Sequence, residues 1–280
     1  MDGWDFEGLS GRKVVVCGGV IFYGYFCMLC QVERFMQHTV TTSADGSCTL
    51  QLTQFEETYH SRNGAFTEAW HIYIQCGLEH LFSQICHGGG SSSCCLRVFD
   101  VGFGSGLNGI VAWAWQERLR REGLPYPRII FHGIEKFPIP LSEIWEMNFP
   151  EVIAEHTALD VCGLKEVFHF MHQCPWEEDV EVGDGFVLHK SCGDIAAVEA
   201  SFYRGDFPAV VFYDTFSPAT QPELWDEAIF RSIADGCASG SVLVTYCSKG
   251  TVKQALRNAG FSLERLAGPP GKRHIIRGRL

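Results

Sequence analysis

The sequence has no excess of basic residues: 22 Lys and Arg stand against 33 Asp and Glu, a formal net charge of −11 at pH 7. That excludes a chain coated in positive surface along its whole length. A second Cys-x-x-C is also missing. Cys27 and Cys30 alone carry that spacing, so a four-cysteine zinc site cannot be completed. His169, His172 and Cys174 are near enough in sequence to act as ligands, but helical spacing over Leu164–Gln173 reads them as core or surface residues, and no metal is expected. Thirteen cysteines, an odd number in a long chain, do not form a disulfide framework. Reduced, mostly buried thiols in a cytoplasmic protein are expected, with no stable membrane partner.

The scarcity of positive charge is uneven. From Lys249 to Leu280 there are eight Lys and Arg and one acid, Glu264. Such a basic edge on an acidic body fits local contact with nucleic acid, with Lys249, Lys253, Arg257, Lys272 and Arg273 as candidate phosphate contacts; a solvated tail is the alternative. The first 40 residues read differently from the rest. Val14–Val32 is uncharged and largely apolar, follows Arg12 and Lys13, and is broken by Gly18, Gly19 and Gly24. Three readings of this leader stay open. It is a membrane anchor of nearly the ~20 residues a span needs, a signal-peptide core, or a segment preceding a mature start at Met36.

At 280 residues the chain has ample length for a large core, in one domain with an extension or in two small ones. Its organising stretch is Leu96–Asn108. Val98, Phe99 and Val101 form a short apolar run that ends in Gly102, Gly104 and Gly106, and a second apolar run, Ile110–Trp115, follows. The pattern predicts a buried strand, a turn free of side chains, and a helix whose N-terminal amides face the turn. Gly104-x-Gly106-x-x-Gly109 fits a dinucleotide fingerprint, but its first glycine falls four residues past Asp100 rather than at the strand end. The frame Asp100-x-Gly102-x-Gly104-x-Gly106 instead resembles motif I of class I methyltransferases. In that family the glycines wrap the methionyl part of S-adenosylmethionine.

Strands and helices then alternate. Strands are predicted at Leu96–Val101, Arg128–Ile134, Phe186–Lys190, Ala209–Tyr213, Ser241–Cys247, Phe261–Leu266 and Arg273–Arg277. Helices are predicted at Leu107–Arg121, Leu141–Trp145, Leu164–Gln173, Ile195–Ser201, Leu224–Ile233 and Thr251–Ala259. The result is an α/β fold with a mostly parallel seven-stranded sheet and ligands at the carboxyl ends of its strands. No helix separates the last two strands, so they should form an antiparallel hairpin, as in the Rossmann-like class I methyltransferases. Gly88–Ser93 reads as a linker. It divides a small extension, residues 41–90, from a methyltransferase domain, residues 94–280. Within the extension, Asp45-Gly46 marks a hairpin turn and a helix should begin after Gly64.

Two acids end predicted strands. Glu135 stands where a carboxylate accepts both hydroxyls of a ribose. Asp194 follows the next strand, placed for an adenine amino group. Asp214 closes the apolar run Ala209–Tyr213, and a proline-containing loop with Phe216 follows.

Asp45-Gly46-Ser47, Tyr59-His60-Ser61, Gly64-Ala65 and Glu68, with Glu135-Lys-Phe-Pro, Asp214-x-Phe216-x-Pro218, Pro222-Glu223-x-Trp225 and Gly271-Lys272-Arg273, resemble the tRNA methyltransferase domain of MnmC-type proteins. The likeness runs from about Thr42 to Leu280. It implies S-adenosylmethionine as cofactor and tRNA as partner, with methyl transfer to the aminomethyl group of a wobble 5-aminomethyl-(2-thio)uridine. It further implies Asp214 as the catalytic acceptor between cofactor and amine. The expected cofactor contacts are Asp100, Gly102, Gly104, Gly106, Glu135, Asp194, Tyr59 and Glu68. The expected substrate contacts are His60, Ser61, Arg62, Phe216, Lys272 and Arg273. A stand-alone form, without the FAD-dependent oxidoreductase half of the bifunctional proteins, is expected. Methylation of another amine or small molecule, cofactor binding without catalysis, and a nicotinamide-dependent oxidoreductase are the competing readings.

Overall fold

The run from Leu96 forms the centre of the protein. The structure, a computed structural model, describes residues 15–17, 20–22, 38–53, 57–87 and 94–280. Most of the apolar leader, Cys27, Cys30, Met36 and the Gly88–Ser93 linker lie outside these residues.

In chain order, β1 (Val15–Cys17) and β2 (Val20–Phe22) pair antiparallel. A hairpin of β3 (His38–Thr42) and β4 (Cys48–Leu52) follows, with Thr42 opposite Cys48 across the Asp45-Gly46 turn. A continuous helical rod then runs through α1 (Ala65–Ala69), a π-helical stretch (Trp70–Glu79) and α2 (His80–His87). Next come β5 (Cys95–Val101), α3 (Leu107–Arg121), β6 (Arg128–Glu135), α4 (Leu141–Ile144), α5 (Phe149–Thr157) and α6 (Val161–Gln173). They lead to β7 (Asp179–Gly183), β8 (Phe186–Cys192), two short 3₁₀ turns, β9 (Ala209–Tyr213) and α7 (Glu227–Gly236). The chain ends with β10 (Val242–Thr245), α8 (Gly250–Asn258), β11 (Ser262–Ala267) and β12 (His274–Arg279). Among the described residues no helix is long and apolar enough to cross a membrane.

The main sheet has the order β11-β12-β10-β9-β5-β6-β8-β7. The five strands from β10 to β8 are parallel, and β12 closes against β10 antiparallel, with β11 hairpinned outside it. This is the Rossmann-like class I arrangement, with eight strands where seven were expected. The additional one, β7, pairs antiparallel with β8. Asp179-Val-Glu-Val-Gly is too acidic to read as a core strand, but at an edge its valines pack inward while its acids face water.

Other boundaries moved for local reasons. The helix predicted over Ile195–Ser201 is two 3₁₀ turns, Ile195–Ala197 and Ala200–Tyr203. The helix predicted from Leu224 begins at Glu227, because Asp226 accepts the Ala228 N–H at 2.9 Å and caps it there. Helix α6 starts earlier than predicted, where Asp160 accepts the Gly163 N–H at 2.7 Å. Helix α5, entered through Pro150 in its first turn, was not foreseen.

Both faces of the sheet are covered. Val98 and Phe212 pack with Ile72, Ile110 and Trp115 on one side. Phe99, Val211 and Tyr213 pack with Phe230 and Leu256 on the other. The strand alternation therefore buries all of β9 and the Val98–Val101 half of β5, which fixes their register and the placement of the residues at their ends.

The Asp-Gly-Ser turn has a role beyond closing a hairpin. Asp45 accepts the Thr67 N–H and hydroxyl, both at 2.8 Å, and the Ser47 N–H at 3.1 Å. Ser47 Oγ accepts the Ala65 and Phe66 amides at 3.1 and 3.2 Å. The turn thus satisfies the free amides at the start of α1. Burial alone would raise the Asp45 pKa, but hydrogen bonds from Ser47, Thr67 and Ser43 outweigh it and hold the carboxyl at about 2. Asp45→Ala should lower stability by about 1–2 kcal/mol in urea unfolding at pH 7. Because the folded-state value lies below the ordinary 3.8, the contribution is complete above that pH and is lost as pH falls through about 2. The wild-type advantage over the alanine variant should shrink over that interval.

Candidate active site

Sequence places three glycines after β5, and the geometry shows what a side chain would meet at the two that line the first cavity. Gly102 has φ 97° and lies against the next strand end, where a Cβ would stand 2.6 Å from the carbonyl oxygen of Asp214. Gly104 has φ 50°, donates its N–H to Glu135 Oε2 at 2.9 Å, and would bring a Cβ 3.3 Å from the Tyr59 ring. The turn crosses from β5 to β6, with the Gly102 and Phe103 amides donating to the Ile134 carbonyl at 3.2 and 3.0 Å. It keeps the backbone low over the carboxyl edge of the sheet.

Beneath the turn two carboxylates share one amide. Asp100 is completely buried. Asn108 Nδ2 donates to Asp100 Oδ1 at 3.0 Å and to Asp214 Oδ2 at 2.9 Å. The other Asp100 oxygen has no partner among the described residues. Burial first, and the neighbouring Asp214 charge second, push Asp100 well above the usual carboxylate range. Burial likewise raises Asp214, to about 6, while Tyr73 and Asn108 oppose the rise; Glu68 adds to it and Lys272 reduces it. The Tyr73 hydroxyl is buried beside Asp214 without a well-formed hydrogen bond to it. Tyr73 comes from the π-helical stretch, which packs so closely that a Cβ on Gly77 would meet Val244 at 2.9 Å.

Two cavities meet at Asp214. The first, about 280 Å³, runs along the glycine turn past Gly102, Gly104, Glu135, Asp194 and Ile195. Glu135 accepts the Gly104 and Phe137 amides, both at 2.9 Å; burial raises its pKa against these bonds. Asp194 accepts from Lys136 Nζ at 2.6 Å and from the Ala196 N–H at 2.9 Å, and the Lys136 bond holds its pKa down. The second cavity, about 170 Å³, is lined by Glu57, His60, Glu68, Tyr246 and Lys272 among others. Tyr59, Asp214, Thr215 and Phe216 line both. The Tyr59 and Phe216 rings meet edge to face at 4.9 Å. The loop bearing Phe216 is pinned from three sides. Tyr246 donates to the Thr215 carbonyl at 3.0 Å, Trp225 Nε1 to the Phe216 carbonyl at 2.9 Å, and the Ser217 N–H to Glu57 at 3.0 Å.

The expected site residues are therefore distributed unevenly. Gly102, Gly104, Glu135, Asp194, Tyr59, Asp214 and Phe216 converge on the first cavity. Glu68, expected beside them, lines the second cavity instead and is paired with Lys272, whose Nζ sits 4.8 Å over the Tyr246 ring. Lys272 is thus turned inward rather than out toward a phosphate. Ser61 lines the second cavity, whereas Arg62 and Arg273 are exposed and line neither. His60 is on the wall, but its ring is within hydrogen-bond reach of Thr49 Oγ1 at 3.1 Å and Ser105 Oγ at 3.3 Å. Burial lowers its pKa to about 4, so it is a neutral tie between hairpin and glycine turn. Asp100 and Gly106 lie outside both cavity walls; Asp100 braces Asn108, and Gly106 starts α3. Of the other basic-edge residues, Lys249 and Arg257 are exposed and Lys253 is half-buried. Nε2 of His172 bonds the Ser105 carbonyl at 3.1 Å, and the Cys174 thiol that of Met171 at 3.2 Å. No group of three potential metal ligands occurs among the described residues.

Sequence reading missed Asn108, Tyr73, Glu57 and Tyr246. Asn108 stood next to the glycine turn and was the easiest to find; the other three reach the site through packing that no local pattern announces.

Comparison with known proteins agrees with this geometry. Residues 165–280 match the model of a family described as S-adenosyl-L-methionine-dependent methyltransferase. The chain is 29% identical over 231 residues to the tRNA 5-methylaminomethyl-2-thiouridine biosynthesis bifunctional protein MnmC of Delftia acidovorans, covering 80% of this chain and 32% of that protein. It is 28% identical over 241 residues to the protein of the same name from Stutzerimonas stutzeri, covering 82% and 33%. The chain thus spans about a third of the length of these curated relatives. Among solved structures, MnmC2 from Aquifex aeolicus superposes with a TM-score of 0.61 at 26% identity, covering 88% of this chain and 71% of that one. The first cavity fits the cofactor of such enzymes: a close-approach glycine turn for the amino-acid part, and carboxylates at successive strand ends for a ribose and an amine. The chain has the Rossmann-like class I methyltransferase fold, its residues 165–280 match a family of S-adenosyl-L-methionine-dependent methyltransferases, and it resembles the methyltransferase domain of MnmC-type proteins.

Proposed function

We propose that the enzyme methylates the aminomethyl nitrogen of a wobble 5-aminomethyl-(2-thio)uridine in tRNA, giving 5-methylaminomethyl-(2-thio)uridine. The observation that carries this reading is the position of Asp214, on the shared wall of a cavity fit for the cofactor and a second cavity rich in carboxylates. The relatives named for 5-methylaminomethyl-2-thiouridine biosynthesis supply the substrate class. A tRNA substrate fits a reaction in the cytoplasm. In this reading residues 94–280 form the catalytic domain, and residues 41–90 supply Tyr59 and Glu68 to its site.

S-adenosylmethionine, when bound, supplies a methyl group on an electrophilic sulfonium, so the protein's task is largely alignment. The glycine turn and Glu135 would hold the cofactor, with Asp194 at the far end of the cleft. Asp214 would accept an N–H of the substrate amine, orient its lone pair and take up the proton released on transfer. Tyr59 and Phe216 would place ring faces and edges around the junction, where a cation is favoured. Asn108, fixed by Asp100, would keep the Asp214 carboxylate aimed at the second cavity.

Asp214→Asn should reduce turnover by about 10²–10⁴-fold with cofactor affinity nearly unchanged. The assay is transfer of labelled methyl to tRNA carrying 5-aminomethyluridine, with unmodified tRNA as control. Near-wild-type turnover in the variant removes Asp214 from the chemistry, and equal labelling of both tRNAs removes the substrate. Asp214 is an acceptor only when ionised. Since its pKa lies at about 6, the wild-type rate should climb as pH rises through that value, and the Asn variant should lose this limb. Glu135→Ala should weaken cofactor binding by about 1.5–3 kcal/mol, the range for hydrogen bonds to a charged group. Calorimetry showing unchanged affinity would take Glu135 out of the cofactor site.

A further inference from the structure

Lys272 and Glu68 come from opposite ends of the chain and meet in the second cavity. Gly268-Pro-Pro-Gly-Lys272 forms the tight connection between β11 and β12, closed by the Lys272 N–H donating to the Pro269 carbonyl at 2.9 Å. Gly271, at φ 84°, packs on Asn63 so closely that a Cβ there would meet the Asn63 side chain at 2.1 Å. This connection directs the Lys272 ammonium inward, onto the Glu68 carboxylate and the Tyr246 ring face. Glu68 is fixed on α1, behind the cap made by Asp45 and Ser47. The ion pair therefore rests on two rigid supports and shares its cavity with Asp214. A pair so sheltered is held by geometry as well as charge.

We propose that the Glu68–Lys272 pair is a positioning device that sets the pH range in which Asp214 is ionised, with Lys272 favouring the carboxylate and Glu68 opposing it. The proposal rests on the reading of Asp214 as the proton acceptor, and it assigns Lys272 a role inside the site rather than at the tRNA backbone. The charged, titratable and hydrogen-bonding groups around Asp214 fall into two sets. Asp100 on β5, Asn108 on α3 and Tyr73 on the π-helical stretch support it from below. Glu68 on α1, Lys272 beyond β11 and Tyr246 beyond β10 face it across the cavity. Glu57 lines the same cavity but is occupied by Ser217 and Thr220. His60, also on that wall, is neutral at working pH. Lys272 is thus the cation of this set, and removing it leaves Glu68 and Asp214 facing each other uncompensated.

The test has two readouts on the full-length chain. In the first, ¹³C NMR follows the Asp214 carboxyl through a pH titration of the cofactor-free protein, the resonance being assigned by its loss in Asp214→Asn. Lys272→Met should move the midpoint up by about one pH unit, the low end of what a nearby opposite charge does to a carboxyl. Glu68→Gln should move it down, and Lys272→Arg should restore the wild-type midpoint. In the second, the acidic limb of the single-turnover methylation rate should move in the same directions. If Lys272→Met fails to fold, the opposite shift in Glu68→Gln and the restoration by arginine still decide the matter. Unmoved midpoints in the folded variants overturn the proposal, even if turnover falls. If the NMR midpoints move as stated but Asp214→Asn keeps the acidic limb of the rate, the pair is upheld and the role of Asp214 as acceptor fails.

Discussion

The structure depends on one side-chain amide buried between two carboxylates. Asn108, in the first turn of α3, donates to Asp100 on β5 and to Asp214 at the end of β9. The Asp214 N–H meanwhile donates to the Val101 carbonyl, and Gly102 lies against the Asp214 carbonyl. The helix, the glycine turn and the strand end are thereby locked to one another within a few ångströms. Leaving a buried donor or acceptor unmade costs about 1–3 kcal/mol, and more for a charged group. A shift of any of these elements would break several such contacts together. Burial around this lock, against the pull of the Asn108 bonds, raises Asp100 well above its usual ionisation range and Asp214 to about 6.

In the proposed function, that arrangement suits a transfer between two cavities with a common wall. A methyl group can pass between cofactor and amine only if the two approach in line, and alignment of reacting groups is worth several kcal/mol. Tyr59, Asp214, Thr215 and Phe216 form the boundary across which the transfer would occur. Tyr59 comes from the N-terminal extension and the other three from the β9 edge, so on the proposed reading the extension contributes to the site. Glu57 and Trp225 hold the boundary loop from opposite sides, and both belong to segments whose sequence alone says little about contact.

Much of the fold was legible because the central strands are buried on both faces and read as short apolar runs between glycine turns and charged helix ends. The glycines at 102 and 104 were legible for the same reason: only a residue without a side chain fits there. The closing β11–β12 hairpin followed from the lack of a helix between two strands. Strand β7 escaped because an edge strand can be acidic. The swap of Glu68 from the first cavity to the second, and the inward turn of Lys272, escaped because they depend on long-range packing of α1 against the β11–β12 connection. Tyr73 escaped because a π-helical stretch shifts residues off the ordinary helical period.

The central claim is that cofactor and amine occupy adjoining cavities that meet at Asp214. It is tested most directly by calorimetry with a bisubstrate ligand, in which an adenosyl group is joined through a short linker at the sulfur position to a primary alkylamine. If the cavities adjoin as described, this ligand should bind the wild-type protein at least tenfold more tightly than the same adenosyl compound with a plain alkyl arm, about 1.4 kcal/mol, and Asp214→Asn should erase most of that gain. Equal affinities of the two ligands for the wild-type protein would contradict the account.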